Sequence, residues 1–169
     1  MSRHRIVFLL QISCLFGALV AGSVQAQIAR PEKAEFVLTS DRTAYESGSP
    51  AQVAALVTIE PGWHVNSHKP TFDYLIPTEL KLELPQGWPL AEVQYPQHEM
   101  QKFAFADEKL AVYDGDVVIL GRFEVPKAAK NGTVPLVAKL RYQACNDSQC
   151  LPPVTTEAKL ELQVGPGGE

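Results

Sequence analysis

Residues 136–153 read LVAKLRYQACNDSQCLPP, and this stretch carries both the clearest strand pattern and the most distinctive chemistry of the chain. From residue 136 to residue 144, every second position is apolar and the positions between them are mostly polar. Such alternation is typical of a β-strand with one buried face and one solvent-exposed face. The stretch therefore predicts a half-buried strand that ends near Cys145, with Cys145 on the solvent-facing side.

The four residues between Cys145 and Cys150 are polar and turn-prone, and their number suits a reversal of the chain. A hairpin loop over residues 146–149 would place the two cysteines opposite each other on neighbouring strands. Opposed strand positions are close enough for a disulfide bond. The sequence thus predicts a cysteine pair at the tip of an exposed hairpin.

Three roles are open to this pair. As a structural crosslink it would contribute little, because closing so short a loop removes only about 2 kcal/mol of chain entropy from the unfolded state. An exposed pair at a loop tip is accessible for exchange with another protein, since exchange requires in-line approach to a sulfur atom. Metal binding is the third role, although two thiols without convergent histidines fall short of a four-ligand zinc set.

The first 26 residues have the three parts of an export signal. Two arginines form a positively charged start, residues 6–21 are almost wholly apolar, and residues 24–26 form a small-x-small cleavage site. We expect cleavage after residue 26, which would also remove Cys14. An uncleaved membrane anchor is the alternative, because the apolar segment is nearly long enough to span a bilayer.

The predicted mature chain has the size of one domain with its own core. We expect a polar lead-in over residues 27–33, a folded domain over 34–164 and a flexible tail over 165–169. Removal of the signal takes away two of the 15 basic residues and none of the 19 acidic ones, which leaves a formal charge of −6. No basic run is present, which argues against nucleic acid or an anionic membrane surface as the partner. Export would place the remaining cysteines in an oxidising compartment.

Most of the mature chain shows short alternating or apolar stretches separated by proline and glycine, a pattern typical of sandwiches. The clearest of them are residues 51–60, 80–84, 117–125 and 158–164. No stretch predicts more than one helical turn. Eight or so short strands in one exported domain predict an all-β, immunoglobulin-like two-sheet β-sandwich.

Residues 96–116 are the exception, a long stretch with weak periodicity that contains Phe103, Phe105 and Tyr113. A loop of this length in a compact domain is usually functional or disordered. Its large aromatic side chains argue against disorder, because such side chains stabilise a loop when they cover another surface. The loop either packs on its own sheet or forms a lid over the cysteine pair that docking would move.

The histidines are weaker candidates for a site. His64 and His68 are four residues apart, a metal-binding spacing only on a helix, and Pro70 with the flanking strand pattern argues against a helix there. We therefore expect both to be surface or loop histidines. His98 and Met100 could join a soft copper site.

The stretch from Leu140 to Pro153 combines a Tyr-Gln-Ala-Cys segment, an acidic residue soon after, and a second cysteine followed by one residue and two prolines. This combination resembles the active-site hairpin in the N-terminal periplasmic domain of the thiol:disulfide interchange protein DsbD. Further similar features lie over residues 61–63, 80–84 and 109–115. The resemblance covers essentially the whole predicted mature chain, residues 34–164.

The resemblance implies an immunoglobulin-like domain that passes reducing equivalents, and we expect it to be a monomer with no cofactor beyond its own sulfur atoms. Such a domain accepts reducing equivalents from a thioredoxin-like donor fed by a membrane electron carrier. It then reduces oxidised periplasmic proteins, with cytochrome c biogenesis as one outlet. By this resemblance Cys150 would form the mixed disulfide and Cys145 would resolve it. The family's cap loop corresponds to residues 96–113, with Phe103 or Phe105 as the shield.

Two departures from the family pattern affect these expectations. The spacing between the cysteines is one residue shorter than in the best-known member. The sequence given also stops after the first domain, so we expect either that the membrane and thioredoxin-like functions come from separate partners or that the domain has another role.

Local charge predicts a thiol of modest reactivity. Asp147 lies between the cysteines and no lysine or arginine lies inside the loop. Because a nearby carboxylate disfavours a thiolate, we expect reactivity to depend on docking of a partner. Asp147 and Tyr142 are the residues expected to tune the pair. The sequence thus predicts an exported disulfide-exchange domain, and the alternatives are a binding module with a structural disulfide and a periplasmic metal carrier.

Overall fold

The computed structural model describes residues 32–89 and 92–166. The predicted signal peptide, most of the lead-in and the last three residues lie outside the described residues. Over the described ranges the chain forms strands and no helix, as the sequence predicts. The described residues therefore contain no helix that could cross a membrane. The strands are β1 (Ala34–Ser40), β2 (Pro50–Ile59), β3 (His64–Asn66), β4 (Glu79–Glu83), β5 (Glu92–Gln94), β6 (Glu99–Gln101), β7 (Leu110–Tyr113), β8 (Asp116–Glu124), β9 (Gly132–Tyr142), β10 (Ala144–Cys145) and β11 (Val154–Val164).

Within the described residues the strands pair into three antiparallel sheets. The large sheet has the order β1-β2-β8-β5, and the three-stranded sheet has the order β11-β9-β4. The third sheet, here called the site sheet, has the order β10-β3-β7-β6. Alternation predicted from the sequence is seen in β2, where residues 53, 55, 57 and 59 are buried.

The main core lies between the large sheet and the other two sheets. One continuous apolar cluster joins Ile119 of the large sheet, Leu140 of the three-stranded sheet and Tyr113 of the site sheet. The facing sheets come very close at Gly121, where an added Cβ atom would collide with Cδ1 of Leu82. Glycine at this position therefore lets the side chains of β4 pack directly on the backbone of β8.

The prediction of a loop over residues 96–116 is wrong in part, because this segment contains two strands. The short strand β6 and the strand β7 pair with each other in the site sheet. All four residues of β7 are buried, so its sequence, Leu-Ala-Val-Tyr, has no alternation to detect. The segment between them, residues 102–109, is the true loop.

The end of β9 positions the cysteine hairpin. Tyr142, its last residue, is buried, and its hydroxyl accepts hydrogen bonds from the backbone N–H groups of Lys33 (3.2 Å) and Ala34 (3.1 Å). The same hydroxyl donates to the carbonyl oxygen of Ala34 at 3.0 Å. These bonds fasten the end of β9 to the start of β1. Beyond Gln143 the chain leaves the three-stranded sheet and pairs with β3 in the site sheet.

Candidate redox site

The cysteine hairpin has the loop that the sequence predicts. The N–H of Asn146 donates to the carbonyl oxygen of Gln149, and the N–H of Leu151 donates to that of Ala144, both at 2.9 Å. The side-chain oxygen of Asn146 also accepts from the N–H groups of Ser148 and Gln149. Such side-chain-to-backbone bonds are the reason that asparagine favours turns. The loop is therefore closed by its own hydrogen bonds on both sides of the cysteines.

Cys145 and Cys150 form a disulfide bond, with their sulfur atoms 2.02 Å apart. Their environments differ, because Cys150 is exposed whereas Cys145 is only 2% exposed. The predicted solvent-facing position of Cys145 is therefore wrong. The prediction extended the alternation of β9 to Cys145, but the strand ends at Tyr142 and a new pairing begins at Ala144. Of the two cysteine residues, only Cys150 is open to an incoming thiol.

His64 lies directly beside the disulfide. It is the antiparallel partner of Cys145 across β3 and β10, and Cys150 is the partner of Cys145 on the other side. His64 is 4% exposed, so the expectation of a surface or loop histidine is wrong for this residue. The reason is that β3 lies between β10 and β7, with an aromatic ring stacked on the histidine. His68 does lie in the loop after β3, half-buried and stacked on Tyr95.

That aromatic ring belongs to Phe103 in the loop over residues 102–109. The rings of Phe103 and His64 are stacked with their centroids 4.1 Å apart, and Phe103 is 7% exposed. Phe105 stacks on Phe103 from outside, with centroids 5.4 Å apart, and is half exposed. Phe103 also packs in a small apolar cluster with Leu110 and Val112. The loop thus both packs on its own sheet and covers the residue next to Cys145.

Charges around His64 come from two carboxylates. Asp147 of the hairpin and Asp114, directly after β7, line one open cleft with His64 and Phe103. Burial lowers the pKa of His64 below its usual 6.5, and the two carboxylates oppose this shift only in part. The imidazole is therefore neutral near pH 7. Its Nε2 atom is buried and has no hydrogen-bond partner among the described residues.

The remaining sequence candidates have other surroundings. The hydroxyl of Tyr142 bonds to β1, and burial raises the pKa of this phenol. His98 and His68 line a separate cleft with Tyr95, while Met100 is 48% exposed on β6. Among residues 32–89 and 92–166, no group of three or more His, Cys, Asp or Glu residues is arranged to hold a metal ion.

Sequence reasoning missed His64 as a site residue. The available signal was its place directly after Pro61-Gly-Trp63, a segment already similar to the DsbD domain. That similarity drew attention to the segment but did not indicate that His64 would pair with Cys145.

Comparison with known proteins places this geometry in context. Residues 25–162 match the sequence profile of the family described as thiol:disulfide interchange protein DsbD, N-terminal. A comparison with the curated proteins found no match.

Among solved structures, the chain is similar to the N-terminal periplasmic domain of ScsB from Proteus mirabilis, with 17% identity and a TM-score of 0.50. That match covers 75% of this chain but only 44% of the ScsB chain, so this chain spans less than half of it.

Two further matches come from Neisseria meningitidis. The reduced DsbD N-terminal domain has 20% identity and a TM-score of 0.39, over 72% of this chain and 82% of that one. The DsbD N-terminal domain in complex with the PilB N-terminal domain has 19% identity and a TM-score of 0.44, over 78% and 86%. At these identities the solved structures indicate only a similar fold. The profile match covers most of the sequence, and the chain therefore belongs to the family of DsbD N-terminal domains, which mediate thiol–disulfide exchange.

Proposed function

We propose that this chain is a periplasmic thiol–disulfide exchange domain that passes reducing equivalents through Cys145 and Cys150. The observation that carries the proposal is the asymmetry of the disulfide, with one exposed and one buried cysteine at the tip of a closed hairpin. Exchange proceeds by attack of a thiolate on one sulfur of a disulfide, through a mixed disulfide. The exposed Cys150 offers that sulfur, and the buried Cys145 is kept for the intramolecular step.

The reductive half of the cycle starts from the disulfide. A thiolate of the donor attacks Sγ of Cys150, the Cys145–Cys150 bond breaks, and Cys145 leaves with the electron pair. A second thiol of the donor then displaces Cys150, which leaves the domain with two thiols and the donor with a disulfide. A thioredoxin-like protein supplies such a pair of thiols.

The oxidative half runs in the opposite direction with a different partner. The thiolate of Cys150 attacks a disulfide of an oxidised periplasmic protein and forms a mixed disulfide. Cys145 then attacks Sγ of Cys150, the partner is released in its reduced form, and the domain's disulfide is restored. No cofactor takes part, because both electrons move with the sulfur atoms. The membrane electron carrier acts only through the thioredoxin-like donor.

The cap loop and the fold complete the proposal. Phe103 covers His64, the cross-strand neighbour of Cys145, and Phe105 forms the outer layer of the same stack. Displacement of this stack by a docking partner would open the site. Apolar packing of the large sheet against the other two sheets supports an immunoglobulin-like sandwich. We place the domain in the periplasm as a monomer, exported through residues 1–26.

The test is the reduction potential of the pair in the mature domain, measured at equilibrium in glutathione and dithiothreitol buffers. We expect a potential above about −300 mV, since structural disulfides typically lie below that value. In addition, Cys145→Ala should trap a mixed disulfide with a thioredoxin-like protein, and the matched variant Cys150→Ala should not. A potential well below that limit together with no trapped partner would contradict the proposal and favour a binding module with a structural disulfide.

A further inference from the structure

Three residues form a row across neighbouring strands of the site, Cys150, Cys145 and His64. Each is the direct antiparallel partner of the next. Directly opposed residues of antiparallel strands point their side chains to the same face, with Cβ atoms about 4.5–5.5 Å apart. The imidazole of His64 is therefore a cross-strand neighbour of the Cys145 sulfur on the side away from Cys150.

His64 carries a polar atom that the oxidised structure does not use. Its Nε2 atom is buried and unpaired among the described residues. A buried polar atom without a partner is costly, and its presence calls for an explanation. A disulfide sulfur carries no hydrogen, so it cannot donate to a nitrogen, whereas a thiol can. Reduction of the disulfide supplies such a donor next to His64, on Cys145.

The residues around His64 leave its imidazole free to accept a proton. The charged or titratable groups that face it are Asp147 from the hairpin, Asp114 directly after β7 and Cys145 from β10. The stacked ring of Phe103 is uncharged and removes water from one face. Burial holds the imidazole neutral near pH 7, and the two carboxylates would stabilise the imidazolium formed when it accepts a proton.

The exchange cycle contains one step that needs such a base. Cys145 must lose its proton before it can attack the mixed disulfide, because the thiolate is the nucleophile. Cys145 is buried, and burial of a thiol in apolar surroundings disfavours the thiolate. The hairpin loop, residues 146–149, contains no lysine or arginine to compensate. An unassisted Cys145 would therefore resolve the mixed disulfide slowly at neutral pH.

We propose that His64 is the general base that deprotonates Cys145 when the mixed disulfide on Cys150 is resolved. This inference rests on the proposed exchange function. Nε2 of His64 takes the proton from the Cys145 thiol, and the resulting thiolate attacks Sγ of Cys150. A sulfur–sulfur bond forms between Cys145 and Cys150, and the bond between Cys150 and the partner breaks. The partner sulfur leaves with the electron pair as a thiolate, and the proton on His64 passes to it or to solvent.

The same residue acts as a general acid in the reverse step. When a donor thiolate attacks Cys150, the Cys145 sulfur leaves into a buried position. His64, neutral near pH 7, takes up the proton that the donor thiol gives up, directly or through solvent, and passes it to the Cys145 thiolate. Oxidation and reduction of the domain thus share one proton site, whereas the first attack by Cys150 does not use it.

The two thiols can be followed separately with the aromatic disulfide 5,5′-dithiobis(2-nitrobenzoic acid). The reduced mature domain releases a first equivalent of thionitrobenzoate when Cys150 attacks the reagent. It releases a second when Cys145 attacks the mixed disulfide. Stopped-flow absorbance records both phases across a range of pH. The variants are His64→Gln and the matched control His68→Gln, which changes a half-buried histidine that is stacked on Tyr95.

We expect His64→Gln to slow the second phase about 100-fold at pH 7, the lower end of the range for general base catalysis. The first phase should be unchanged, and His68→Gln should behave like the wild type. The second phase of the wild type should level off above the pKa of His64. In His64→Gln it should keep rising about tenfold per pH unit until Cys145 itself ionises.

The outcomes separate the two proposals. A wild-type domain that releases one equivalent and forms no intramolecular disulfide would overturn the exchange function, and the role of His64 with it. A wild type with both phases, matched by His64→Gln in rate and pH dependence, would overturn only the role of His64. If His64→Gln does not fold, nitrogen-15 NMR of the wild-type imidazole decides the question. Nε2 should gain a hydrogen-bond donor on reduction, and an unchanged resonance in the two oxidation states would overturn the inference.

Discussion

Replacing Tyr142 with phenylalanine should destabilise the domain without changing the chemistry of its cysteines. The hydroxyl is the hydrogen-bond partner of both backbone groups of Ala34 and also accepts from the N–H of Lys33. Ala34 is buried, so its N–H and C=O groups would lose their partner in a place where water does not reach them easily. Tyr142→Phe removes one oxygen atom and leaves the ring in its pocket.

The size of the effect follows from these contacts. A buried peptide group left without a partner costs about 1–3 kcal/mol. Two such groups at Ala34 would together cost about 2–6 kcal/mol. We expect a loss of about 2–4 kcal/mol in the free energy of unfolding, because β1 can relax at its first residue. Lys33 adds little, since it is only partly buried and water can replace the hydroxyl. The loss is a large fraction of the 5–15 kcal/mol by which native domains are stable.

Urea unfolding of the oxidised domain measures this loss. At a slope of about 2 kcal/mol per molar urea, the midpoint should fall by about 1–2 M with the slope itself unchanged. The matched control is Tyr74→Phe, since Tyr74 is 76% exposed and its change should be within about 0.5 kcal/mol. An unchanged midpoint in Tyr142→Phe, together with altered exchange kinetics, would refute this reasoning. It would instead support the sequence-based expectation that Tyr142 tunes the cysteines.

Three further predictions concern the site. Phe103→Ala should speed reduction of the disulfide by glutathione and cost about 3 kcal/mol of stability. Phe105→Ala changes a half-exposed residue and should have a smaller effect on both the rate and the stability. Equal reduction rates in the two variants would count against Phe103 as the shield. Because the pKa of His64 is lowered in the folded state, the unfolded chain binds more protons just below pH 6.5. Stability measured by urea unfolding should therefore fall as the pH drops below about 6.5, and parallel losses in the wild type and in His64→Gln would contradict this assignment. Asp147→Asn should move the alkylation profile of the Cys150 thiol slightly toward lower pH, because a nearby carboxylate disfavours the thiolate but is exposed and screened by solvent. Alkylation of the reduced domain with iodoacetamide at several pH values measures this shift, and an unchanged profile would show that Asp147 has no influence.

The sequence predicts the parts of this site whose signals are local. Alternation through residues 136–142 identifies β9, and four turn-forming residues between two cysteines identify the hairpin and its disulfide. Each of these features depends on neighbours within a few positions along the chain. They could therefore be predicted without knowing how the strands pair.

The parts that could not be predicted depend on long-range pairing. The change of sheet after Tyr142 leaves no mark in the sequence, because β10 pairs with a strand about 80 positions earlier. The burial of Cys145 and the position of His64 both follow from that pairing. The strand β7 escaped detection for a related reason, since a strand covered on both faces has no alternation. The cross-strand neighbour of the buried cysteine was thus a residue to which the sequence gave no role.

The closure of the hairpin by its own hydrogen bonds has a consequence for recognition. Two backbone hydrogen bonds close the loop on either side of the disulfide, one between Asn146 and Gln149 and one between Leu151 and Ala144. Pairing of β10 with β3 fixes the position of Cys145 independently of the disulfide. Breaking the sulfur–sulfur bond therefore leaves the loop in place, and we expect the oxidised and reduced domains to present nearly the same outline. A partner protein cannot then distinguish the two forms by shape. Turnover would instead require that the donor and the acceptor both bind weakly and leave readily, with direction set by the potentials of the partners rather than by a change in the domain.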